Sequence, residues 1–123
     1  MSYVTNVILH VGLFDEHRVD EVNEFFERKE IRGFVAMDDE SLPDGWYGGT
    51  KYLEGCFSVG AFNSLDMPAL LEHIRGIDWW GPHAVQLIVL DQEDYKCRII
   101  EVFPEAQALY EQPVSLISDD DVA

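Results

Sequence analysis

The chain has 123 residues, with 24 Asp+Glu against 8 Lys+Arg, for a formal net charge of −16. That length suits one domain, and 47% hydrophobic with 12% aromatic residues is enough to bury a core, so the acidity does not read as disorder. The cations are scattered with no basic stripe, which argues against direct contact with a nucleic-acid backbone or an anionic membrane surface.

Residues 4–12, VTNVILHVG, alternate through Val7, Leu9 and Val11 and read as a strand ending at Gly12. Residues 15–29 read as an amphipathic helix. Val19, Val22 and Phe26 form its inner face, and Glu16, Asp20, Glu24 and Glu27 its outer face. Asp15 is placed to cap its start. Residues 31–37 suggest a second short strand. A long segment over 38–55, rich in Gly, Asp and Pro, reads as a loop or irregular hairpin.

Residues 56–62, CFSVGAF, read as a third strand. Phe57, Val59 and Ala61 share one face, which leaves Cys56 and Ser58 on the sheet side away from the helices. Residues 66–75 carry clear helix signals: Asp66 as N-cap, Pro68 in the first turn, Leu70, Leu71 and Ile74 as the apolar stripe, and Gly76 at the end. Residues 84–90 and 95–103 read as strands joined by an acidic turn at 91–94. The order is that of the ferredoxin-like βαββαβ arrangement, with one additional C-terminal β-strand. The expected α+β fold is a single domain over 1–104, an antiparallel sheet with two helices on one face. The strand order is 4-1-3-2, with the fifth strand beside the fourth. Residues 105–123 form an acidic tail. Its last residues are expected to be disordered, and the open sheet face either stays in water, is covered by this tail, or stacks on a second copy.

This topology gathers three segments at one end: Phe14 and Asp15, the stretch from Trp46 to Tyr52, and the stretch from Trp79 to His83. The candidate binding surface is Asp15, Trp46, Tyr47, Lys51, Tyr52, Trp79, Trp80 and His83, because Trp and Tyr dominate interface hot spots. The competing reading is an aromatic cluster that only anchors a long loop. Trp79 and Trp80 are adjacent, so both cannot point the same way.

No catalytic or cofactor motif survives inspection. GWYGGTK matches neither GxxxxGK[ST] nor GxGxxG, and Lys51 is the sole cation among five acids. The four histidines show no HExxH or zinc spacing, although His17, His83 and Asp15 share the loop end. His73 is expected on the outer side of its helix. Cys56 and Cys97 lack CxxC spacing and read as reduced packing thiols in a cytoplasmic protein. No apolar run reaches the ~18 residues of a membrane span. The start shows no basic n-region, so no leader is expected. No metal or cofactor is expected.

The function expected is therefore a non-enzymatic protein-binding or regulatory module for a basic partner, in its sharpest form an inhibitor that mimics nucleic acid. The alternatives are a small-molecule pocket or small enzyme at the aromatic end, and acidity as adaptation to a salty cytoplasm.

Overall fold

Alternation in the first strand, β1 (Val4–Val11), sends Thr5, Val7, Leu9 and Val11 inward, while Asn6, Ile8 and His10 lie on the other side. The structure, a computed structural model, describes residues 3–106 other than 52 and 54. Tyr52 and the tail beyond residue 106 therefore lie outside the described residues. The described part is an α+β fold with a five-stranded antiparallel open sheet in the order β2-β3-β1-β4-β5. The other strands are β2 (Val35–Ala36), β3 (Cys56–Asn63), β4 (Gln86–Asp91) and β5 (Arg98–Glu101). Read from β5, the order is 5-4-1-3-2, with β1 central.

Two α-helices, α1 (Val19–Glu27) and α2 (Met67–Arg75), lie on one face of this sheet. Val22 and Phe26 of α1 and Leu70 and Ile74 of α2 join Val7, Leu9, Val11, Val85, Leu87 and Val89 in one buried cluster. Asp66 caps α2 as its position suggests, its carboxylate accepting from the Ala69 N–H at 3.2 Å. The second helix is further locked by His73. Its Nε2 donates to the Glu21 carbonyl at 2.7 Å, and its ring lies against Phe25. His73 thus faces α1 and not the outer side.

Three further expectations are corrected. The first helix is two elements. A 3-10 helix, Leu13–Arg18, precedes α1, and Asp15 caps nothing; its side chain turns inward. Cys97 precedes β5 and is exposed, so it is not a packing residue.

The third correction concerns β3, whose faces are the reverse of the expected ones. Cys56, Ser58 and Phe62 face the helices, and Phe57, Val59 and Ala61 face away, as their pairing with β1 requires. The physical reason is Phe62. Its ring stacks on Phe26 with centroids 4.2 Å apart, and Phe34 meets both rings edge-on. Burying that one ring in a three-ring cluster fixes the parity of the whole strand, because a one-residue slip would turn every side chain over. Gly60 belongs to the same device: a Cβ there would run into the Phe62 ring.

On the opposite face, Val35, Val59, Ile8, Ile88 and Ile99 are directly cross-strand, an apolar row over all five strands. Among the described residues no helix covers this row, and Ile99 is 67% exposed.

Candidate functional site

The chain leaves β1 through Gly12 and enters the 3-10 helix, where Asp15 is 1% exposed. Its Oδ1 accepts from the Trp80 N–H at 2.9 Å and its Oδ2 from the Gly81 N–H at 2.8 Å. A buried carboxylate is tolerable because both oxygens receive charge-assisted bonds. This clamp joins the turn after β1 to the turn after α2.

The clamp sorts the aromatic residues. Trp79 turns inward at 7% exposure, and its Nε1–H donates to the Ile74 carbonyl at 2.9 Å. Trp80 turns out at 74% exposure, with the Phe14 ring against it at 5.0 Å, edge to face. Leu13 and Phe14 are also largely in solvent. Phe14, Trp80, His17, Arg18 and Asp78 border a recess of about 590 Å³. Arg18 donates to Glu21 from Nη1 at 2.8 Å, while its buried Nε has no partner among the described residues. This is a protruding apolar patch held from below.

Glu16 of the same 3-10 helix borders a separate cleft of about 600 Å³, which shares no lining residue with that recess. Its walls are the start of α1 and the edge formed by β2 and β3. Asn23 braces them: its Nδ2 donates to the Phe34 carbonyl at 3.0 Å and its Oδ1 accepts from the Phe34 N–H at 2.7 Å. Gly33 is required beside this bridge, since a Cβ there would collide with the Asn23 amide. The floor is Phe34, Cys56 and Ser58, and the rim carries Glu16, Asp20, Asp38 and Asp39. Burial first, then the charges of Glu16 and Asp38, push the Cys56 thiol above its ordinary pKa. Ser41 donates to Asp39 from its hydroxyl and backbone N–H, which holds that carboxyl below its usual range.

The long loop is pinned by Trp46, whose Nε1–H donates to the Met37 carbonyl at 2.6 Å. Its turns use left-handed backbone at consecutive glycines, Gly48 and Gly49, with φ of 79° and 77°. Trp46 and Lys51 share a shallow recess with Tyr47, and Tyr47 also reaches the cleft. His83 is half-buried on a short 3-10 helix, Pro82–Ala84, directly after the clamp.

The expected surface therefore divides. Asp15, Trp79 and Trp80 meet around one recess, while Trp46, Tyr47 and Lys51 lie around others. Asp15 and Trp79 support from beneath and do not face a ligand. Leu13 was not anticipated, and neither were Asn23 and Ser58 in the cleft. Small residues at alternate positions 56, 58 and 60 were the available signal. Among the described residues no group of three or more His, Cys, Asp and Glu is arranged to hold a metal, and no helix is long and apolar enough to cross a membrane. No protein-family model, curated protein or solved structure matches this chain.

Proposed function

We propose that the protein is a non-enzymatic binding module that engages a basic protein partner through Leu13, Phe14 and Trp80. The observation that carries this reading is the Phe14–Trp80 pair, both rings largely exposed yet fixed by the buried Asp15 clamp. Exposed aromatic anchors on a rigid base match the anatomy of an interface hot spot. The charge of −16 steers a basic surface toward it and repels nucleic acid and anionic membranes. The acidic outer face of α1 adds the chemistry of a groove-filling nucleic-acid mimic. We place the protein in the cytoplasm and assign its strand order to a ferredoxin-like domain with an added edge strand.

The test is affinity capture at low and high salt with wild type, Phe14→Ala and Trp80→Ala. A stoichiometric basic partner, released by salt and lost in both variants, is the expected result. Capture unchanged in both variants would sink the assignment. The apolar row on the open sheet face supports a second reading, a homodimer through that face. Sedimentation of wild type against Ile99→Lys tests it, with a shift to monomer expected.

A further inference from the structure

We propose that the cleft between α1 and the β2–β3 edge is a binding site for a small organic amine: an apolar body seated on the floor, its ammonium at the acidic rim. The proposal is independent of the protein-binding patch, because Leu13, Phe14 and Trp80 do not line the cleft.

The cleft exists because of how β3 is turned. With Phe62 anchoring the strand, the positions that face the start of α1 are the small residues Cys56 and Ser58. Opposite them, the start of α1 offers Val19, Asp20 and Asn23. Short side chains on both walls leave about 600 Å³, within the range of small-molecule sites. The Asn23 bridge to Phe34 fixes the walls in advance, so little ordering is left for a ligand to impose.

The lining then specifies the ligand. Ser58 is 5% exposed, lines the cleft, and its hydroxyl makes no side-chain hydrogen bond among the described residues. That hydroxyl is available to donate to or accept from an occupant of the cleft. Phe34, Val19, Met37 and the half-buried Tyr47 supply apolar and aromatic contact. Four carboxylates, Glu16, Asp20, Asp38 and Asp39, face one cation, Arg32, which donates from Nη2 to the Ser41 hydroxyl at 2.7 Å. At the floor, Glu16 and Asp38 add to the larger effect of burial in pushing the Cys56 thiol upward. An anion is therefore repelled and a neutral body gains only the floor. A cation also gains the rim and the face of Tyr47.

Three isosteric probes separate these contributions: 2-phenylethylamine, 2-phenylethanol and phenylacetate. Each is titrated into the full chain at low salt while amide shifts are followed by NMR. The amine is expected to move the Val19, Asn23, Ala36 and Ser58 amides and to bind roughly tenfold more tightly than the alcohol, with phenylacetate weakest. Salt should erase the difference. The pair Glu16→Gln with Asp20→Asn, both exposed and neutral to the core, should bring amine and alcohol to equal affinity. Ser58→Val should abolish both, whereas Trp80→Ala should leave both intact. Equal binding of all three probes overturns the proposal. So do shifts centred on other residues, and so does no binding at millimolar concentration.

Discussion

Ile8 and Leu9 are neighbours in β1, equally apolar, and have opposite surroundings. Leu9 lies under two helices with no exposure, while Ile8 lies in the cross-strand row on the uncovered face. The two faces of the sheet differ less in hydrophobicity than in what the chain supplies to cover them. On the helix side, α1 and α2 each bring an apolar stripe and Phe34 completes a ring cluster. The other side offers Val35, Val59, Ile8, Ile88 and Ile99, and no described element packs over them. Alternation alone therefore marks two faces, and the rings decide which of them becomes the core.

The sharpest way to break this comparison is to remove matched side chains from the two faces. Phe26→Ala should cost about 3–5 kcal/mol and Leu9→Ala about 2–5 kcal/mol in denaturant unfolding, since each leaves a cavity in close-packed surroundings. At concentrations where the chain is monomeric, Ile8→Ala should cost markedly less, and Ile99→Ser should stay within about 0.5 kcal/mol. An Ile8→Ala loss equal to that of Leu9→Ala would show that the open face is covered in solution.

Next in size is the clamp. Asp15→Ala strands the Trp80 and Gly81 N–H groups, at about 1–3 kcal/mol for each group left unpaired. It should also free the Phe14–Trp80 pair, read as a change in tryptophan emission before global unfolding. Asp15→Asn keeps one acceptor and should cost less. Gly60→Ala comes third: the Phe62 ring must shift to admit a Cβ, at about 1–3 kcal/mol. A neutral result there would mean that the ring cluster does not set the parity of β3.

Much of this architecture is legible in the sequence because it rests on local chemistry. Asp66, Pro68 and Gly76 delimit α2 with caps and a proline that work within a few residues. Alternation in β1 gives its inner face correctly. The errors arise where a distant partner decides. CFSVGAF offers two nearly equal faces, and the choice between them belongs to Phe26 and Phe34, far away in sequence. Asp15 has the residue type and position of a helix cap, yet two N–H groups beyond residue 79 claim it. The adjacency of Trp79 and Trp80 correctly implied opposite directions, but which one is exposed depends on the Ile74 carbonyl. The cleft has no motif because it is made of what is small.

The smallest expected effect is chemical, and it compares the two thiols as the mutations compare the two faces. Cys97 is exposed, and Cys56 is partly buried beneath Glu16 and Asp38. A thiol alkylates as its thiolate, so a raised pKa means less reactive species at neutral pH. Iodoacetamide should therefore modify Cys97 first, followed by mass spectrometry of the digested chain. The Cys56 rate should climb only as pH passes above the ordinary thiol range. Burial is the larger cause of the shift and the carboxylates the smaller, so Glu16→Gln with Asp38→Asn should lower the Cys56 midpoint modestly without restoring a free thiol's value. Salt should mimic that double variant, because it screens the carboxylates but leaves burial unchanged. A Cys56 profile insensitive to both would mean that the rim charges do not reach the floor, and the field invoked for an amine would go with them.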